Sequence, residues 1–223
     1  MAKVFLSAGH GGSDPGAVAN GLQEKNINLN TLLACNEVLV RHGVNTVLSR
    51  TKDENDPVQE EVREANASGA DLAVSFHANA GGGDGFEGFY HSSNANGKRL
   101  ATLAEKYVKQ LGQNSRGISA RDGLMFIRVP KMTSVLFESF FLDNAKDKQI
   151  GDTVAEQRAF GVAYAKAILE YFGILYKEEK PTTSTKPDEL YHVQVGAYRE
   201  RQNAEDMLSK LKKAGFEGFI TKA

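Results

Sequence analysis

The feature that most constrains this chain is an alternation, running from its start to about residue 80, of short apolar runs closed by glycine-rich turns with stretches of helical periodicity. Residues 3–8 (Lys-Val-Phe-Leu-Ser-Ala) make one such run, and Ile27, Leu32, Leu33 and Leu39 then recur at helical spacing through residues 26–42. Residues 45–50 read as a second strand. Residues 58–68 form an amphipathic helix that should stop at Gly69, and residues 72–78 are another apolar strand, bounded by Gly81, Gly82 and Gly83. Strand, helix, strand, helix, strand predicts an α/β fold with a mainly parallel twisted sheet flanked by helices and joined by right-handed crossovers. The pattern then predicts a strand over 85–92, a helix over 97–111, a strand over 123–129, a long apolar strand over 134–142 and a last helical region ending near Gly173.

Residues 176–189 contain Lys-Glu-Glu-Lys-Pro-Thr-Thr-Ser-Thr-Lys-Pro, with almost nothing to bury, and mark a linker. The chain therefore divides into a main domain at 1–175, the linker, and a small β-α-β C-terminal module at 190–223, read as strand 191–197, helix 203–214 and strand 218–221. That module is too short for a comfortable core and should lean on something else, such as a second copy of itself. Lys and Arg total 27 against 28 Asp and Glu, so no global positive charge draws the chain to nucleic acid or to an anionic membrane. The opening residues carry too short an apolar run for a signal peptide, and no stretch of about 18 consecutive apolar residues offers a membrane span. Synthesis in the cytoplasm without membrane insertion is the expectation. A single cysteine excludes an intramolecular disulfide, and Cys35 falls within the apolar pattern of the first helix as a small buried residue.

His10 follows the first strand at its carboxyl end, and His77 lies near the carboxyl end of the strand two crossovers later. In a parallel sheet those ends share one edge, where open α/β sheets place ligands. Glu24, just before the first helix, reaches that edge if the loop 11–21 folds back over it. His, Glu and His with one position left to water is a hydrolytic zinc arrangement, with bond lengths of roughly 2.0–2.2 Å. The plainer alternative makes Glu24 a partner of the helix dipole and each histidine a local hydrogen-bonding group. Glu138 interrupts Val-Leu-Phe-Glu-Ser-Phe-Phe-Leu, where an isolated carboxylate is costly unless paired or protonated. It is either a general base beside a metal or half of a structural ion pair with Arg121 or Arg128. The segment Gly-His-Gly-Gly-Ser-Asp-Pro-Gly lacks the Gly-Lys-Ser/Thr ending of a phosphate loop, which argues against nucleotide binding. His42, His91 and His192 have no repeated ligand spacing, and Arg50 and Arg63 flank an acidic loop that they are expected to brace.

These residues sit in four ordered motifs: Ser-Ala-Gly-His-Gly-Gly-Ser-Asp-Pro-Gly-Ala around His10, Gly-Leu-Gln-Glu-Lys around Glu24, Val-Ser-Phe-His-Ala-Asn around His77, and Val-Leu-Phe-Glu-Ser-Phe-Phe-Leu-Asp-Asn around Glu138. With them, residues 3–173 resemble the type 3 family of N-acetylmuramoyl-L-alanine amidases. The resemblance implies that His10, Glu24 and His77 ligate Zn2+, that Glu138 is the catalytic carboxylate, and that the substrate is bacterial peptidoglycan. Phe76, Phe137 and Ser139 depart from what many relatives carry, which leaves stem-peptide preference open without removing a ligand. The tail, with Tyr-His-Val-Gln-Val-Gly-Ala-Tyr, Asn-Ala-Glu-Asp-Met-Leu and Ala-Gly-Phe-Glu-Gly-Phe, resembles one sporulation-related (SPOR) repeat, which implies peptidoglycan binding. The usual domain is about two such units, so either the tail continues beyond the chain shown or two chains pair as a homodimer through it.

The resemblance implies hydrolysis of the amide between N-acetylmuramic acid and L-alanine. Two rivals remain: a zinc peptidase cutting within the stem peptide, and a wall-binding module whose metal is only structural. The expected setting is a phage endolysin released by a holin or a mother-cell autolysin acting at sporulation.

Overall fold

Four neighbouring parallel strands make up one side of a six-stranded sheet in the computed structural model, which describes residues 1–178, 195–216 and 218–221. The chain runs through β1 (Lys3–Ala8), a short ribbon of β2 (Val18–Ala19) and β3 (Leu22–Gln23), α1 (Glu24–Arg41), β4 (Asn45–Leu48), α2 (Val58–Ser68) and β5 (Leu72–Asn79). It continues through β6 (Phe86–Tyr90), α3 (Ala95–Lys109), β7 (Ser115–Ala120), α4 (Met125–Arg128), β8 (Thr133–Phe141), α5 (Ala145–Lys148) and α6 (Val154–Tyr171), and α7 (Arg201–Lys213) follows in the tail. The sheet order is β4-β1-β5-β8-β6-β7, with β6 antiparallel to β8 and parallel to β7. The mainly parallel α/β sheet read from the sequence is present.

Burial on both faces explains why the central strands are continuously apolar. Val4, Leu6, Val74, Phe76, Val135 and Phe137 face the layer of α1, α3 and α6, where the main core lies. Phe5 and Ala73 face the other way, against Val62 and Ala65 of α2 and Phe126 of α4. Tyr164 of α6 stacks on Phe76 and Phe137, with ring centroids 5.4 and 4.8 Å away, and its hydroxyl donates to Ser139 Oγ at 2.9 Å. The start of α6 is fixed by a capping box: Glu156 N–H donates to Thr153 Oγ1 at 3.2 Å, and Thr153 N–H donates to the Glu156 carboxylate at 2.8 Å.

Two stretches differ from the sequence reading. Residues 123–129, expected as a strand, hold the short helix α4, whose Phe126 and Ile127 enter two separate apolar clusters. A short apolar run does not distinguish strand from buried helix by periodicity alone. The edge strand is β7 instead; its Ser-Arg-Gly-Ile-Ser-Ala holds a single large apolar residue, so no alternation announces it.

The described residues form two compact units, Met1–Lys177 and Glu178–Ala223. Tyr176 and Lys177, expected to open the linker, belong to the first: Tyr176 stacks on His42 at 5.3 Å, and Lys177 N–H donates to His42 Nε2 at 2.9 Å. Residues 179–189 of the expected linker and most of the strand 191–197 lie outside the described residues. In the second unit the expected helix is present as α7, with no buried residue. Residues 218–221, expected as a strand, are in none, since a strand requires a partner's ladder and none is formed among the described residues.

Helices α1 and α6 cross where Gly161 meets the α1 backbone, and a Cβ there would lie 2.2 Å from Thr31 O. Gly161→Ala is expected to cost about 2–3 kcal/mol by forcing the helices apart, measured as a lowered urea midpoint; an unchanged midpoint would show that the crossing yields freely.

Candidate metal centre

The turn after β1 places His10 in a conformation that side-chain-bearing residues rarely adopt, at φ 66°, a strain on the order of 1–3 kcal/mol. The surrounding chain pins it there. Gly9 N–H donates to Phe76 O at 3.2 Å, and Gly11 and Asp14 exchange backbone hydrogen bonds at 2.9 and 3.0 Å. Asp14 Oδ2 lies 2.8 Å from His10 Nδ1, which orients the ring so that Nε2 points to Glu24 Oε2 at 3.2 Å. The ribbon of β2 and β3 folds the loop back as the sequence required, and Glu24 becomes the first residue of α1, where the helix N-terminus favours its charge.

Glu24 is 5 % exposed. Its Oε2 accepts from Ala17 N–H at 2.8 Å; its Oε1 accepts from Ala78 N–H at 3.3 Å and Asn28 Nδ2 at 3.4 Å. His77, on β5, brings Nδ1 to 2.9 Å from Oε1. One carboxylate thus holds two imidazoles whose centroids are 5.2 Å apart. His10, Glu24 and His77 each offer a ligand atom, all within 4.8 Å of one another. Two glycines make room: a Cβ on Gly9 would strike the His77 ring at 2.1 Å, and one on Gly16 would lie 2.5 Å from Glu24 Oε2.

These donors fit a small divalent cation. A tetrahedral ion with bonds of about 2.1 Å sets its ligand atoms roughly 3.4 Å apart, close to the 2.9 and 3.2 Å separations seen between imidazole nitrogen and carboxylate oxygen. Without a cation, protons fill its role. The hydrogen bond to Glu24 raises His10 to about 9, against the opposing effect of burial. Burial lowers His77, but its hydrogen bond to Glu24 and the charge of Glu138 outweigh that and leave it raised. Burial pushes Glu24 up, yet the two imidazoles hold it well below the usual carboxylate range.

Glu138 lies beside this cluster because β5 and β8 pair with His77 opposite Glu138, so both side chains leave the same face of the sheet. Its Oε2 is enclosed and has no hydrogen-bond partner among the described residues. Burial pushes Glu138 up to about 7, against the pull of His77. The ion pair with Arg121 or Arg128 is not formed; Arg121 lies instead over the Phe89 ring at 5.0 Å. Arg50 does brace the loops, donating to Ala8 O at 2.9 Å and Lys25 O at 2.7 Å, whereas Arg63 pairs with Glu60 on its own helix. Cys35 is fully buried. His42 and His91 make local hydrogen bonds, to Val38 O and Ser93 Oγ, and His192 lies outside the described residues.

Sequence reasoning did not single out Asp14, Asn28, Glu61 or Glu87. Asp14 and Asn28 each stand four residues after a ligand candidate, a spacing that was readable. Glu61 of α2 is buried and pushed up to about 7 by desolvation, and Glu87 stands opposite Glu138 across β6 and β8. Only sheet and helix packing reveal those two.

The family model described as N-acetylmuramoyl-L-alanine amidase matches residues 4–170. A SPOR domain model matches residues 165–222, starting within α6, where Ala165, Ala167, Ile168 and Leu169 are core residues of the first unit. The chain is 31% identical over 224 residues to the sporulation-specific N-acetylmuramoyl-L-alanine amidase of Bacillus subtilis strain 168, covering 99% of this chain and 84% of that protein. It is 37% identical over 198 residues to an endolysin of Bacillus phage SPP1, covering 81% and 72%. The solved catalytic domain of CwlV, an amidase from Bacillus (Paenibacillus) polymyxa var. colistinus, superposes with a TM-score of 0.73 at 30% identity, covering 78% of this chain and 100% of that one.

With His10 and His77 both raised, uptake of a divalent ion by the metal-free protein at pH 7 is expected to release roughly one to two protons. Calorimetry in buffers of different ionisation enthalpy counts them. Release near zero would show that the imidazoles are already neutral.

Proposed function

The chain belongs to the N-acetylmuramoyl-L-alanine amidase family, and from that premise we propose that it cuts peptidoglycan with Zn2+ held by His10, Glu24 and His77 and with Glu138 as general base. The observation that carries this reading is the enclosed, unpartnered Glu138 Oε2 beside three donors that converge within 4.8 Å. Two imidazole nitrogens and a carboxylate oxygen are a donor set that suits zinc, with the fourth position left open for the reaction.

When bound, the zinc ion supplies Lewis acidity, polarising the scissile carbonyl and making water a stronger acid. The protein's own groups do the remaining work. Asp14 holds the His10 ring through Nδ1, and Asn28 ties Glu24 to the turn by also donating to Gly9 O at 2.9 Å. Glu138 takes a proton from the attacking water and delivers it to the alanine nitrogen as the carbon–nitrogen bond breaks. A carboxylate whose proton affinity lies near neutrality can do both. The products are a free muramic carboxylate and a stem peptide with an N-terminal L-alanine.

The SPOR-matched tail supports retention on the wall, and we propose that two tails pair. Among the described residues Phe216, Ile220 and Tyr198 are exposed and α7 buries nothing, so a second copy would cover apolar surface that these residues leave open to water. The similarity to a sporulation-specific amidase and to a phage endolysin supports action on the wall after cell lysis or holin release.

Mass spectrometry of soluble products from purified peptidoglycan, with zinc-loaded wild type beside Glu138→Ala, tests the chemistry. Peptides beginning with L-alanine are expected, falling by roughly 100- to 10,000-fold in the variant; other termini would mean a peptidase. Because Glu138 must be ionised to act, kcat/KM is expected to fall as pH drops through about 7 or, with the cation's field added, somewhat below it; a profile flat to pH 5 would remove Glu138 from the base role. Light scattering at high concentration should give twice the chain mass, and a monodisperse monomer would refute pairing.

A further inference from the structure

The pairing of β5, β8, β6 and β7 sets a row of side chains across one face of the sheet: His77 opposite Glu138, Glu138 opposite Glu87, and Glu87 opposite Gly117. At the end of the row the ladder slips. Phe86 pairs with Ser115 but Glu87 pairs with Gly117, so Arg116 is an extra residue, a β-bulge of the kind that re-aims a side chain beside a site. Gly117 takes φ 98°, open to glycine and strained for other residues, and adds no side chain to the face. Arg116 therefore has that position to itself.

Its guanidinium is held on two sides. Nε lies 3.3 Å from Glu87 Oε1, whose other oxygen accepts from Asn79 Nδ2 at 3.0 Å, and Cζ lies 5.3 Å from the Phe141 ring centroid. The terminal nitrogens make no hydrogen bond among the described residues, and the side chain is 47% exposed. A guanidinium fixed by its inner edge with its outer edge open is a preorganised receptor for a carboxylate.

We infer that Arg116 is a specificity-determining residue that receives a carboxylate on the peptide arm of the substrate. This rests on the amidase reading above. The chemistry of the bond selects the arm: on the glycan side the muramic carboxyl is consumed in the amide, leaving neutral groups, whereas the peptide side carries free carboxylates. The distance agrees. Arg116 stands two strands from Glu138, about 10 Å at the usual strand spacing, and an extended peptide advances roughly 3.3–3.6 Å per residue. The group received is then on the second or third residue of the arm. Glu87 holds Arg116 in place, making it a positioning residue.

The test uses the zinc-loaded full chain and two muramoyl-tripeptides, identical except that the carboxylates of the second and third residues are free in one and amidated in the other. Wild type is expected to show a KM roughly tenfold lower for the free form. Arg116→Gln should close that gap by raising KM for the free form with little change in kcat, and Arg116→Lys, which keeps the charge without the fork, should restore part of it. Equal KM values in wild type, or a gap undiminished in Arg116→Gln, overturn the subsite while leaving the amidase reading intact. Failure of wild type to cleave either substrate overturns both. The wild-type comparison decides the matter if the glutamine variant does not fold.

Discussion

One buried carboxylate organises the centre of this molecule. Glu24 is nearly sealed from water, a position that disfavours its charge by several kcal/mol unless the charge is compensated. The compensation comes from the helix terminus it begins, the backbone of Ala17 in the loop before it, the backbone of Ala78 on β5, and two imidazoles, one on β5 and one in the turn after β1. The donors come from three separate parts of the fold, so Glu24 ties the His10 turn, the loop leading into β2 and the end of β5 to one point. The left-handed backbone at His10 is tolerated because Asp14 and Glu24 hold the ring from both sides.

Next to that compensated charge, the sheet register assembles acids with less compensation. Glu138 and Glu87 stand directly opposite each other, and Glu138 feels both Glu87 and Glu24 as like charges while burial also opposes its ionisation. Glu87 is contacted in turn by Asn79 and Arg116. The two carboxylates contrast: the donors around Glu24 hold it well below the usual carboxylate range, whereas burial pushes Glu138, whose Oε2 has no partner among the described residues, up to about 7. A cation placed between His10, Glu24 and His77 would favour the ionised forms throughout the row, so ligand occupancy and proton affinity are coupled by geometry.

The two units follow different physical regimes. The first closes apolar layers on both faces of the sheet, and even its last residues, Tyr176 and Lys177, are tied down by His42. In the second, no residue of α7 is buried, and exposed apolar side chains such as Tyr198 and Phe216 flank that helix on either side.

The amino-acid sequence by itself determined much of the architecture. Apolar runs ending in glycine marked β1 and β5, a long apolar run marked β8, the spacing of Ile27, Leu32 and Leu39 marked α1, and Gly69 marked the end of α2, because periodicity and backbone freedom are local properties. It also nominated His10, Glu24, His77 and Glu138, since a polar residue at the end of an apolar strand or within one demands a reason. What it did not show was β7, with one large apolar residue, or the helical state of 125–128, whose apolar run suits either structure. The tertiary structure alone decided that Glu138 takes no arginine, that Glu87 stands opposite it, that Glu61 is buried, and that a bulge turns Arg116 toward the same row. Those facts depend on register and on packing between elements far apart in the chain, and a one-residue slip in register would send each strand side chain to the opposite face.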